Sequence, residues 1–328
     1  MLGEKSLLQE TVDRLDGIIP NERIFIVTNR LQRKIIAPQL RSLSEENYII
    51  EPSARNTAPC IGLAAMHIKR LNPDGIMVVL PSDHLVRDRM EFQNAIRTAV
   101  EVVRKQDGLV TFGIPPTRPE TGYGYIQFSH RSADLAKHVH RVKTFAEKPN
   151  KPTAMRFLAS GDFYWNSGIF VWKASRILAE FEEHLPEQYH QLELIERNYG
   201  SSHYNRSLIT RYSRIRPISI DYGVIEVTKS PIFMVEGDFG WSDVGSWDEL
   251  YRQHTPGSDG NVVIGEGAML DAKNCFIYSQ DKMTAVIGLE NLLVVNTPNA
   301  LLICPLDRAQ DVKQIVEKLR AEDKGKYL

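Results

Sequence analysis

Long apolar runs are missing from this sequence. Stretches such as Ile76-Met77-Val78-Val79-Leu80 stop far short of the roughly 18–20 residues that a membrane span needs. Cysteine is scarce: Cys60, Cys275 and Cys304 lie far apart with no C-x-x-C pair, which excludes a disulfide framework and a zinc ribbon. Neither sign of charge dominates. Forty Lys+Arg against 41 Asp+Glu leave a net charge of −1, so no nucleic-acid surface driven by bulk charge is expected. The opening Met1-Leu2-Gly3-Glu4-Lys5 has no signal-peptide apolar core, so a cytoplasmic protein without membrane attachment is expected. Also missing are G-x-x-x-x-G-K-[ST], G-x-S-x-G and H-E-x-x-H, which removes the P-loop, the nucleophile elbow and the zinc-protease helix.

What is present is ordinary globular material, with 42% hydrophobic and 25% charged residues over 328 positions, enough for one large or two moderate domains. Apolar strand-like runs alternate with helical periods over the first two-thirds. The spacing predicts helices over 6–16, with Leu8, Val12 and Leu15 on one face, over 58–71 and over 90–105. It predicts strands at 23–28, 76–80 and 109–113. Strands apolar at consecutive positions belong in a sheet covered on both faces, so the expected fold is α/β, a doubly wound, mainly parallel, Rossmann-like sheet. A turn-rich break at His254-Thr255-Pro256-Gly257-Ser258-Asp259-Gly260 divides domains 1–255 and 256–328. Beyond it, short apolar segments separated by Gly, Asn, Asp and Pro form a β-rich unit, whose spacing allows a short left-handed β-helix. Residues 307–327 read as a closing amphipathic helix with Val312, Ile315, Val316 and Leu319 on its apolar side.

Several polar groups stand where strands end. Asp83 follows the run Val78–Leu80, at the crevice where parallel sheets bind ligands; it either meets a ligand such as Mg²⁺ or caps the next helix. His84, with no other His at ligand spacing, reads as structural or as a support for a ligand residue and not as a metal ligand itself. Asp243, between Trp241 and Trp247, is a second carboxylate of the same kind, or, with Ser242, a helix N-cap. Arg55, Asn56 and Thr57 offer donors and acceptors suited to a base edge, or simple capping. The glycines of Thr121-Gly122-Tyr123-Gly124-Tyr125 precede a strand and do not form G-x-G-x-x-G, so the dinucleotide fingerprint is rejected. Glu147 and Lys148 sit at a strand end closed by Pro149, as sugar and phosphate partners or as a solvated turn. Asn166 precedes a buried strand, as a sugar-hydroxyl partner or an Asx-turn.

The order of these pieces carries more than any one of them. Arg55-Asn-Thr-Ala-Pro59, Leu80-Pro-Ser-Asp-His84, the segment Phe112–Ile126, Phe145-x-Glu-Lys-Pro149, Trp165-Asn-Ser-Gly-Ile-Phe170, Ser219-Ile-Asp-Tyr222 and Gly240-Trp-Ser-Asp-Val-Gly245 together resemble the bacterial mannose-1-phosphate guanylyltransferases (GDP-mannose pyrophosphorylases). The resemblance implies that GTP and mannose 1-phosphate are joined with Mg²⁺, releasing pyrophosphate and GDP-mannose. It implies Asp83 and Asp243 as metal ligands and Arg55, Asn56 and Thr57 at the guanine side. Gly124, Glu147, Asn166 and Asp221 would surround the sugar, with Lys148 at its phosphate. A homo-oligomer, a dimer, and a monofunctional chain without a cupin-type isomerase domain are also expected. The family opens with a strand and a Gly-rich G-x-G-x-R loop ahead of the equivalent of Leu2–Gln9. The expectation is therefore that the recorded start is late, and that the chain as written is short of the triphosphate cradle and of a central strand. The readings kept beside this one are a nucleotidyltransferase for another sugar 1-phosphate and a non-catalytic nucleotide-sugar-binding subunit.

Overall fold

The computed structural model describes residues 3–129 and 136–327, and packing divides the chain into two units. The larger, Leu7–Trp241, contains strands β1 (Ile26–Thr28), β2 (Tyr48–Ile50), β3 (Ile76–Val79), β4 (Leu85–Val86) and β5 (Leu109–Ile114). It continues through β6 (Tyr125–Ser129), β7 (Val139–Ala146), β8 (Phe163–Lys173) and β9 (Ile232–Glu236). Its helices are α1 (Leu7–Asp13), α2 (Arg30–Ile36), α3 (Thr57–Leu71), α4 (Arg89–Lys105), α5 (Lys151–Ser160), α6 (Ala174–His184), α7 (Pro186–Glu196) and α8 (Tyr204–Tyr212).

β5 is buried along its whole length, as a strand covered on both faces must be. On one side α4 brings Phe92, Ile96 and Val103 against Val110, Phe112, Ile169 and Val235. On the other, Ile61 and Ala65 of α3, Ile177 and Phe181 of α6 and Leu192 of α7 meet Met77, Phe170 and Trp172. The α/β architecture is as expected, but the six-stranded sheet, in the order β3-β8-β5-β9-β7-β6, is mixed. β3, β5, β6 and β9 point one way, while β8 and β7 run against them, so β5–β9 is its one parallel pair. The eleven-residue β8 is inserted between β3 and β5, and β6 and β7 pair antiparallel with each other, which separates strands that would otherwise lie side by side.

β1 and β2 form a separate parallel pair. Ile26 packs with the α4 layer and Val27 with the α3 layer, and β3 alternates likewise through Val78 and Met77. Among the described residues, β1 and β3 thus lie between the same two apolar layers with no ladder joining them. Helix α1 is shorter than its sequence period suggests, but Leu8, Val12 and Leu15 do enter the core.

The second unit, Ser242–Leu328 with the first residues up to Ser6, starts within the two-residue strand β10 (Trp241–Ser242) and holds α9 (Trp247–Gln253). It also holds β11 (Val262–Leu270), β12 (Phe276–Ile287), β13 (Leu292–Asn296), β14 (Leu301–Pro305) and α10 (Val312–Ala321). Leu250 of α9 packs with Val262, Phe276 and Leu293, which is why this helix goes with the rungs. β11, β12 and β13 stack in parallel register, Val262 on Phe276 on Leu293, and β14 closes the stack antiparallel. Stacked short parallel rungs are the β-helix arrangement. The expected helix over 307–327 is instead three pieces, a 3-10 turn at Leu306–Asp311, α10 and a 3-10 turn at Gly325–Tyr327. Asp323 takes a left-handed φ of 55°, which no α-helix continues through. Among the described residues no helix is long and apolar enough to cross a membrane.

Candidate active site

The site is built where β5, β6, β7 and β8 meet. Gly113 of β5 lies opposite Asn166 of β8, and the Asn166 backbone amide donates to the Gly124 carbonyl at 2.8 Å. That bond ties the glycine loop before β6 to β8. A Cβ on Gly124 would stand 2.5 Å from Glu147 Oε2, so the missing side chain is what lets the Glu147 carboxylate close over the loop. Lys148 follows in a left-handed conformation, φ 45°, and its Nζ lies 3.0 Å from Glu147 Oε1. This hydrogen bond raises the Lys148 pKa and keeps the ammonium charged.

Asp221 begins a π turn, Asp221–Ile225, closed by the Glu226 amide donating to the Asp221 carbonyl at 2.9 Å. Such turns recur at functional sites, where they redirect a side chain. Asn166 Nδ2 donates to Asp221 Oδ1 at 3.1 Å. The other end of the side-chain amide, Oδ1, lies 3.2 Å from the Thr111 hydroxyl and accepts from the Gly168 amide at 3.3 Å. The Asx-turn and the contact with Asp221 therefore coexist in one side chain. Burial, then the charge of Glu147, pushes the Asp221 carboxyl above its ordinary range, with Asn166 and Lys148 acting the other way. Glu226 is raised by burial and by the same two acids. A half-desolvated group of carboxylates beside a single ammonium suits a neutral polyol carrying one anionic phosphate.

Asp83 stands exposed after β3. It caps nothing: the cap of α4 is Asp88, whose side chain accepts from Glu91 N at 3.0 Å. Its neighbour His84 is structural, as expected. Trp241 Nε1 donates to His84 Nδ1 at 3.0 Å, and Arg14 Nη2 donates to the His84 carbonyl at 2.9 Å. Burial, with Arg14 adding to it and Asp83 opposing, lowers the His84 pKa to about 4, so the ring is neutral near pH 7 and can accept from Trp241.

In the second unit, Asp243 Oδ1 accepts from the Gly245 amide at 3.0 Å, and Val244 between them takes a left-handed φ of 47°, rare for a β-branched residue. The N-cap of α9 is Ser246, so neither Asp243 nor Ser242 has the capping role that the sequence allowed. Asn56 does cap α3: it sits at φ 68° with its side chain accepting from the Thr57 amide. Arg55 Nη2 is held by the Ser213 carbonyl at 2.9 Å, and the Thr57 hydroxyl accepts from the Ile220 amide at 2.8 Å.

Of the residues singled out from sequence, the structure brings Gly124, Glu147, Lys148, Asn166 and Asp221 together. Arg55, Asn56 and Thr57 lie along the segment that leads into Asp221. Two contributors escaped sequence reading. Thr111 is a lone hydroxyl inside an apolar strand, a signal that could have been noticed, whereas Glu226 gave none. No group of three or more His, Cys, Asp or Glu side chains among the described residues is arranged as a metal cage.

The model of the nucleotidyl transferase family matches residues 1–257. The chain belongs to that family. In this nucleotidyl transferase, residues 265–319 match a second family, the MannoseP isomerase/GMP-like beta-helix domain, in agreement with the stacked rungs. A mannose-1-phosphate guanylyltransferase of Klebsiella pneumoniae is 38% identical over 333 residues, covering 100% of this chain and 69% of that protein. The alginate biosynthesis protein AlgA of Pseudomonas aeruginosa is 38% identical over 330 residues, with 99% and 67% covered. A crystal structure from Thermus thermophilus, described as a mannose-1-phosphate geranyltransferase, superposes with a TM-score of 0.83 at 32% identity, covering 96% of this chain and 90% of that one. Nucleotidyl transferases of this kind generally work with a divalent metal.

Proposed function

We propose that this chain is a mannose-1-phosphate guanylyltransferase, joining mannose 1-phosphate to GTP to give GDP-mannose and pyrophosphate. The observation that carries the reading is the assembled group Gly124, Glu147, Lys148, Asn166 and Asp221 in a chain whose relatives bear that name. A phosphate oxygen of the sugar phosphate attacks the α-phosphorus of GTP, and the α–β bridging P–O bond breaks, its electron pair leaving with pyrophosphate. No covalent enzyme intermediate is needed, so the chain's own residues act by positioning and charge. Glu147, Asn166 and Asp221 hold the sugar hydroxyls and Lys148 its phosphate. The glycine at 124 gives the loop the close approach this requires.

Mg²⁺ is the metal we assign. The exposed, non-capping Asp83 suits an ion that prefers one or two carboxylates together with phosphate oxygens and water. When bound, such an ion neutralises charge on the transferring phosphate.

Pyrophosphate release from GTP, compared with ATP and UTP, and with mannose 1-phosphate against glucose 1-phosphate, tests the reading. GTP with mannose 1-phosphate should be preferred. Faster turnover of another pair would move the chain to another nucleotide-sugar reaction, and GDP-mannose binding without turnover would favour a binding subunit.

Asp221→Asn should separate stability from function. A carboxyl whose folded pKa is raised above its unfolded value stabilises the fold while protonated, and that contribution is lost as pH rises through the folded pKa. At pH 8 the ionised, buried Asp221 is therefore a cost that the amide removes, and the Asn166 contact survives on the amide oxygen. The variant is expected to melt roughly 2–4 °C higher at pH 8, with the gain fading toward pH 4, while binding GDP-mannose more weakly. A lower melting temperature at pH 8 would contradict this account.

A further inference from the structure

We propose that Thr57 is a positioning residue for Asp221, serving the sugar side of the site. The inference rests on the proposed function, in which Asp221 meets the sugar.

A π turn is a short irregular element, and the direction of its first side chain follows from how the chain on either side of it is held. Here both sides are held. On the N-terminal side, buried Ile220 donates its amide to the Thr57 hydroxyl at 2.8 Å, one residue before Asp221. The approach to that point is laced to the start of α3: the Ile218 amide donates to the Arg55 carbonyl at 3.3 Å, and the Ala58 amide to the Ile218 carbonyl at 3.1 Å. Thr57 is itself fixed by the left-handed Asn56 cap. On the C-terminal side, the hydroxyls of Thr228 and Ser230 each donate to the fully buried Glu180 carboxylate at 2.6 Å, which Arg176 Nη2 meets at 2.7 Å. Removing the Thr57 hydroxyl leaves the Ile220 amide without its acceptor, a loss felt first in the direction of Asp221.

Calorimetric titration with GDP and with GDP-mannose separates the two sides, since the ligands share the base and differ by the sugar. For Thr57→Val the GDP-mannose Kd should rise about tenfold while the GDP Kd stays within about twofold, and Thr57→Ser should restore the first. Glu180→Gln, at the opposite end of the turn, should show the same selective loss. If Thr57→Val is too unstable to titrate, Thr57→Ala, which also removes the hydroxyl that holds the Ile220 amide, decides. An equal weakening of GDP and GDP-mannose would place Thr57 at the base, and no change in either would remove its role; both overturn the inference. If the unsubstituted chain shows no measurable binding of GDP-mannose, the sugar pocket itself is wrong and the proposed function falls; binding that Thr57→Val leaves unchanged overturns this inference alone.

Discussion

Asp83→Asn is expected to lower turnover of GTP with mannose 1-phosphate by about 10²–10³-fold while moving the melting temperature by less than about 2 °C. The asymmetry follows from where the carboxylate sits. Asp83 is exposed at the carboxyl end of β3 and caps no helix, so the fold asks little of its charge. The loop around it is fixed by its neighbour, through Trp241 Nε1 on His84 Nδ1 and Arg14 on the His84 carbonyl. The substitution keeps shape and removes charge, and a lost charge at a phosphate-transfer site is felt in the transition state more than in the ground state. The check is pyrophosphate release across a range of Mg²⁺ concentrations, with thermal unfolding beside it. Asn at this position with turnover unchanged would count against Asp83 as the proposed Mg²⁺ ligand.

Gly265→Ala is expected to destabilise the second unit by about 3 kcal/mol or more, a large loss for adding one methyl group. Gly265 lies in β11 at φ 90°, and a Cβ built there would fall 1.8 Å from the Ser279 carbonyl oxygen. That oxygen belongs to the backbone of β12, so no side-chain rotation can relieve the contact. The β11–β12 register also shifts between Gly265 and Gly267, which marks the place where the rungs bend. Gly257→Ala is the matched control: its nearest neighbour to a built Cβ is 3.9 Å away, and an effect within about 0.5 kcal/mol is expected. Limited proteolysis and thermal melts of both variants would settle the comparison. Equal stability of the two would show that the rungs tolerate displacement at this point.

Much of the fold was legible because local chemistry and tertiary packing agree along α3, α4 and β5. The period that places Ile61 and Ala65 on one face of α3 is the one that buries them, and the largely apolar β5 is buried on both sides. Strand direction was less legible. An apolar strand reads the same whether its neighbour is parallel or antiparallel, so nothing in Phe163–Lys173 announced that β8 would run against β3 and β5. Caps stayed open for a related reason. Asp83, Asp88, Ser242 and Ser246 are all competent N-caps, and only the three-dimensional path of the chain selects Asp88 and Ser246.

By itself the sequence determined the layered α/β core, the β-rich second part, and the identity of the polar groups that end the strands, because composition and period are local properties. Its order of motifs also determined the family. Tertiary structure alone decided which of those polar groups meet. Glu147 closes over Gly124 because antiparallel pairing of β6, β7 and β8 brings distant segments to one corner, and Asn166 meets Asp221 there because the π turn is tied to the start of α3. Tertiary structure likewise turned the Thr57 hydroxyl toward the Ile220 amide, a buried donor that had to find an acceptor.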